Sequence, residues 1–177
     1  DGLRGVAIVL VLIWHFFIAN GPDFISTTFL APLGFTWSGV DLFFVLSGFL
    51  IGVILIDQRG AANYFRVFCL RRICRIFPLY IVWLIIFVVA VRSLRGHSLT
   101  PSLSWLFGKP MPLGSYATFT QNFFMASANS FGPNWMAMSW SLAVEEQFYL
   151  LLPLIVYFTP PRRLPYVLAG LIVLAPL

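Results

Sequence analysis

A histidine and three carboxylates stand inside or at the edge of apolar runs of this chain, and these are the residue types that acid–base chemistry requires. His15 closes the stretch DGLRGVAIVLVLIWH, where ten residues of nearly pure hydrocarbon separate it from Arg4. On a helix those eleven steps come to three turns plus about 20°, so both side chains share one face, roughly 16 Å apart along the axis. Asp41 opens a second apolar run, and Glu145 and Glu146 stand side by side in another. Polar groups in hydrocarbon cost on the order of several kcal/mol unless partnered, so each asks for a reason to be there. A histidine beside a carboxylate can deprotonate a hydroxyl, the carboxylate fixing the tautomer and steadying the imidazolium. Arg66, Arg71, Arg72 and Arg75 fall within ten residues, a density of guanidinium groups suited to a phosphorylated ligand.

Composition sets the stage for these residues. Of 177 residues, 60% are hydrophobic and only 10% charged, against roughly a quarter charged in a soluble domain. The chain therefore reads as an all-α, polytopic transmembrane helix bundle. Its spans fall at about 3–20, 37–56, 76–91, 140–158 and 166–177, the last too short to cross a ~30 Å core, so residues 1–177 read as the N-terminal part of one larger membrane domain. A net charge of +5 could suggest nucleic acid, but the basic residues lie between apolar runs, where membrane topology and anionic small molecules explain them better. That placement argues against nucleic-acid binding. Cys69 and Cys74 lie about 140° apart on a helix and suggest neither a disulfide nor a metal site. The first run resembles a secretory signal only in having a basic residue ahead of an apolar core; it lacks a cleavage pattern and carries His15, so it reads as a retained span.

Arginines fix the orientation. The segment 57–75 holds five of them and the loop before Trp37 holds none after Arg4, which places the N-terminus and residues 57–75 in the cytoplasm. The third span is expected to be short and bent or broken near Pro78. Residues 92–138, rich in Pro, Gly, Ser and Asn, are too long for a plain connector and read as a functional or re-entrant loop. Trp135 and Trp140 mark an interface belt, and the Gly48-x-x-x-Gly52 spacing beside Ser47 allows close helix approach. In this topology His15, Asp41, Glu145 and Glu146 share an outer, acid–base layer. Arg4, Arg71, Arg72, Arg75, Arg162 and Arg163 share an inner, anion-binding layer.

Each feature has a plainer reading: a membrane carboxylate can simply pair helices, Asp41 can cap the second helix, His97 reads as an ordinary loop residue, and topology alone asks for basic residues at the inner surface. Adjacent Glu145 and Glu146 point about 100° apart, so one of them faces the core. Two functions fit the layers: transfer of a group from a phosphorylated donor to a hydroxyl, and proton-coupled transport through a His/Glu relay.

Four blocks resolve the choice by likeness. DGLRGVAIVLVLIWH (1–15), SGVDLFFVLSGFLIG (38–52), RRICRIFPLY (71–80) and WSLAVEEQFYLLLPL (140–154) resemble, in order, the signatures of acyltransferase family 3. The resemblance implies a membrane O-acyltransferase, in a bundle of about ten spans of roughly 20 residues each. It implies an acyl-CoA donor, commonly acetyl-CoA, used from the cytoplasm, and a hydroxylated acceptor such as a surface glycan or lipid-linked sugar. It also implies a bacterial inner-membrane setting and no metal. On the positions that match, His15 becomes the general base, with Glu145, Glu146 or Asp41 orienting it. Arg4 belongs to the Arg-x10-His pairing; Arg72 and Arg75, with Arg71 beside them, become the residues that hold the CoA phosphates.

Overall fold

The computed structural model describes residues 2–18, 31–95, 98 and 100–174, all in helices, turns and short links with no strand among them. His97 and most of the first loop lie outside the described residues. Three helical segments are long and apolar enough to cross a membrane, Leu33–Asp57, Tyr64–Ser93 and Asn134–Phe158, while Gly2–Phe16 and Leu164–Val173 are apolar but shorter. The protein is an all-α membrane helix bundle, and it divides into two compact units, Asp1–Gln58 and Arg59–Leu177.

In the first unit, helix α1 (Gly2–Ile13) runs on into a π-helical turn, Trp14–Ile18, which carries His15. A 3₁₀ segment, Ala31–Ser38, leads into α2 (Gly39–Asp57). The two helices pack antiparallel, and a single glycine sets how closely. A Cβ at Gly39 would stand 2.7 Å from the Ala7 carbonyl oxygen and 2.8 Å from the Leu10 Cβ, so only hydrogen fits there. Ala7, opposite, is fully buried. The sequence points to Gly48 and Gly52 for this role; a Cβ at Gly52 meets nothing within 4 Å.

In the second unit, α3 (Tyr64–Ser93) is one continuous helix of 30 residues. This corrects the expectation of a short third span broken near Pro78. Pro78 is exposed, so its ring points away from the packed face, and one missing N–H inside a long apolar helix does not end it. Residues 101–137 form four short helices, α4 (Pro101–Phe107), α5 (Leu113–Ala117), α6 (Gln121–Ser127) and α7 (Asn134–Ala137), ahead of α8 (Ser139–Phe158) and α9 (Leu164–Leu174). The long polar stretch is therefore a folded layer. Its Tyr116, Phe119, Met125 and Met136 join Tyr80, Phe87 and Val91 of α3 and Ala143 of α8 in one buried core. Buried hydrogen bonds tie it down: Tyr80 donates to the Tyr116 carbonyl at 2.8 Å and Gln121 Nε2 to the Ser139 carbonyl at 2.9 Å. Trp135, read as an interface residue, stacks on Trp83 with centroids 4.3 Å apart.

Helices α3 and α8 run antiparallel in a register that side chains report at successive turns. The Tyr64 hydroxyl donates to the Pro153 carbonyl at 3.1 Å, and the Phe68 and Tyr149 rings meet edge to face at 6.2 Å. Arg59 Nη2 donates to the carbonyls of Tyr157 and Thr159, at 2.9 and 2.5 Å, placing a cation on the C-terminal end of α8 where the helix dipole favours it.

Candidate active site

The chemistry-bearing residues fall into two groups, one in each unit. In the first, α1 presents Arg4 and the π turn presents His15. Arg4 Nη2 donates to Ser47 Oγ at 3.0 Å, and its guanidinium lies 5.7 Å from the centre of the Phe43 ring, so α2 holds it from two sides. Its Nε is buried with no hydrogen-bond partner. His15 is half-buried, and its Nδ1 lies 2.8 Å from the Val11 carbonyl oxygen. A carbonyl only accepts, so in this bond Nδ1 carries the proton, and the basic nitrogen of the neutral ring is Nε2. Widening of an α-helix to a π turn frees a carbonyl from its ordinary i+4 partner, and such turns recur at functional sites. Asp41 sits in the first turn of α2 with an exposed side chain.

In the second unit the layers expected from the topology merge. Arg72 does not stand at an inner surface apart from the glutamates; it lies level with them. Its guanidinium is 5.1 Å from the Tyr149 ring centre and 5.5 Å from that of Phe68. Tyr149 in turn donates its hydroxyl proton to Glu145 Oε1. Glu146 is buried and interacts electrostatically with Arg72. The physical reason is helix length: because α3 starts at Tyr64, Arg72 rides about 12 Å up the helix, while α8 continues about 18 Å beyond Glu146.

Of the two adjacent glutamates, then, Glu146 faces the protein interior and Glu145 is half-buried against Tyr149. Arg71 and Arg75 are exposed. Arg75 opens on a groove of about 530 Å³ whose other lining is Ile76, Leu79, Tyr80, Trp83 and Leu142. Two side chains given no role from the sequence prove structural neighbours of the glutamates. Gln147 donates to the Phe119 carbonyl at 2.8 Å and exchanges hydrogen bonds with Asn122, holding Phe119 in a left-handed conformation with φ of 53°. A Gln inside an apolar helix was the available signal. Cys69 and Cys74 are free and exposed. Among the described residues, no group of three or more His, Cys, Asp and Glu side chains is placed to hold a metal ion.

The protein is a membrane helix bundle that carries a backbone-bonded histidine in one unit and an arginine–carboxylate–tyrosine cluster in the other. The particular family follows from comparison: a family model described as an acyltransferase domain matches residues 1–175, and the chain belongs to acyltransferase family 3. It is similar to the peptidoglycan O-acetyltransferase OatA of Listeria monocytogenes, with 34% identity over 163 residues, covering 86% of this chain and 23% of that protein. The putative peptidoglycan O-acetyltransferase YrhL of Bacillus subtilis is 34% identical over 170 residues, covering 87% and 23%. A putative O-acetyltransferase of Staphylococcus aureus, SACOL0978, is 28% identical over 157 residues, covering 88% and 24%. The chain thus spans about a quarter of the length of the curated relatives it matches. No solved structure matches it.

Proposed function

We propose that the chain is part of a membrane O-acyltransferase that moves an acetyl group from cytoplasmic acetyl-CoA to a hydroxyl of a cell-surface glycan, in a bacterial inner membrane with the N-terminus in the cytoplasm. Membership of the acyltransferase family favours group transfer over a proton relay, and the names of the relatives favour a glycan acceptor and an acetyl group. The observation that carries the mechanism is the 2.8 Å bond between His15 Nδ1 and the Val11 carbonyl.

With Nδ1 protonated, Nε2 is the base. It takes the proton of the acceptor hydroxyl as the oxygen attacks the thioester carbonyl; the new C–O bond forms, the C–S bond breaks, and the CoA thiolate leaves and receives the proton from the imidazolium. The backbone carbonyl does for the tautomer what a carboxylate does in other histidine bases. The exposed arginines Arg71 and Arg75 supply charge-assisted hydrogen bonds to the donor's phosphates, and Arg4, tied to Ser47, fixes α1 against α2.

The test uses the full-length protein in membrane vesicles with labelled acetyl-CoA, followed by recovery of label in a glycan fraction. Replacing His15 by Ala is expected to lower transfer by about 10²–10⁴-fold with donor binding unchanged. Transfer near the wild-type rate in His15→Ala would remove His15 from the mechanism.

A further inference from the structure

Arg71 and Arg75 are both exposed and stand four residues apart, so they share one face of α3, with the exposed thiol of Cys74 beside them. Their depth follows from the register within the second unit. At one end, Arg59 holds the last carbonyls of α8, and Tyr64, at the start of α3, donates to the Pro153 carbonyl. Further along α3, Trp83 donates to the Trp135 carbonyl at 3.3 Å and stacks on that ring. From Tyr64 to Trp83 is about 28 Å of helix, close to the ~30 Å of a hydrocarbon core. The antiparallel segment Asn134–Phe158 alongside is itself long and apolar enough to cross. Arg75 lies about 16 Å from Tyr64 and about 12 Å from Trp83, near the middle of that span.

An exposed guanidinium at that depth does not face lipid. A charge at the centre of a bilayer is costly, and the side chain is too short to carry its head to either surface. The groove of about 530 Å³ onto which Arg75 opens does not satisfy it either. Polar atoms on its wall are already spent, the Tyr80 hydroxyl on the Tyr116 carbonyl and Trp83 Nε1 on the Trp135 carbonyl. Nearby, Glu145 Oε1 is taken by the Tyr149 hydroxyl. Guanidinium groups only donate, so Arg71 and Arg75 call for acceptors brought by water or by an anion. We propose that this face of α3 lines a water-filled crevice reaching the middle of the membrane, where Arg71 and Arg75 bind the anionic group of a water-soluble ligand. That the anion is a phosphate of the donor rests on the acyl-transfer reading; the crevice rests on depth and exposure alone.

Cys74 reports on the crevice as it stands, because a methanethiosulfonate reacts with the thiolate, which forms in water and not in hydrocarbon. The full-length protein in membrane vesicles is treated with two impermeant reagents, sulfonatoethyl and trimethylammonioethyl methanethiosulfonate. Mass spectrometry of the Cys74 peptide gives each rate, normalised to that of free cysteine. Both reagents are expected to modify Cys74, the anionic one about tenfold faster after normalisation, and the difference should shrink in about 1 M salt. With Arg71→Gln and Arg75→Gln in the same chain, the preference should fall to within about twofold. No modification of Cys74 by either reagent, from either side of the membrane, overturns the crevice. Modification without a charge preference, or a preference that survives both substitutions, overturns the anion site. If the double variant fails to fold, the wild-type rates and their salt dependence still decide. Saturating CoA should protect Cys74 in vesicles that expose the cytoplasmic face. Unchanged modification in its presence removes the donor from these arginines and leaves the crevice standing.

Discussion

At the scale of single residues, what a side chain does here is set by its partner, and most partners are far away in sequence. The bond from His15 to Val11 is local, one turn behind it on the same helix. Arg4 needs Ser47, Arg72 needs Tyr149, and Tyr116 needs Met111 and Tyr80. Tyr116 lies outside the spanning helices, wholly buried, and accepts the Met111 N–H at 3.4 Å. Burial raises its phenol above the ordinary value of about 10, and the Met111 bond offsets this only in part. A raised value means that the folded state holds the proton more tightly. Its stabilisation is complete below about pH 10 and is lost as pH rises through the folded value. Tyr116→Phe should therefore lower stability by about 1–2 kcal/mol at neutral pH, where the Met111 N–H loses its acceptor, and flatten the alkaline fall. Thermal unfolding of both proteins between pH 8 and 11 gives the comparison; parallel curves would show that Tyr116 does not titrate in the unfolding reaction.

At the scale of elements, two close contacts hold the candidate site residues. Gly39 lets α2 lie against the backbone of α1 at Ala7 to Val11, the turn that carries the carbonyl gripping His15. Gly39→Ala places a methyl group against backbone that cannot turn aside. It should cost about 1–3 kcal/mol and reduce acyl transfer, while Gly52→Ala, in open space, should do neither. Transfer assays and Tm on the two variants side by side check this. The other contact is the α3–α8 register, which the sequence could not supply. Periodicity locates a helix in a run of apolar residues, but Pro78 and five arginines between 59 and 75 argued for an end where the chain continues. Packing against α8 and the short helices α5–α7 repays the lost bond at Pro78, and the arginines are accommodated because Arg72 finds rings and carboxylates at its level.

At the scale of the molecule, orientation rests on charge. By the positive-inside rule, Arg59, Arg66, Arg71, Arg72 and Arg75 against the sparsely charged stretch after Lys109 are expected to hold residues 58–63 inside and leave residues 128–133 outside, the orientation proposed above. In a Cys69→Ser, Cys74→Ser background, Gly60→Cys should be blocked by a membrane-impermeant maleimide only after the cells are opened, and Ser130→Cys should react in intact cells. The reverse pattern would invert the topology and the side from which the donor is used.

Sequence alone determined the helical membrane class, because hydrocarbon runs of that length have no other stable use, and the family, because Arg4, His15, Asp41, Arg72, Arg75 and the Glu145–Glu146 pair stand in four ordered blocks. It also marked His15, since an imidazole on an apolar helix stands out without any structure. The tertiary structure decided which groups meet. It set Arg72 beside the glutamates, turned Arg75 toward a groove, buried Glu146 rather than Glu145, and gave Gly39 the close approach. Those pairings depend on where each helix starts and on the register between antiparallel neighbours. One residue of slip rotates a side chain by about 100°, a change that leaves the hydrophobic pattern of either helix untouched.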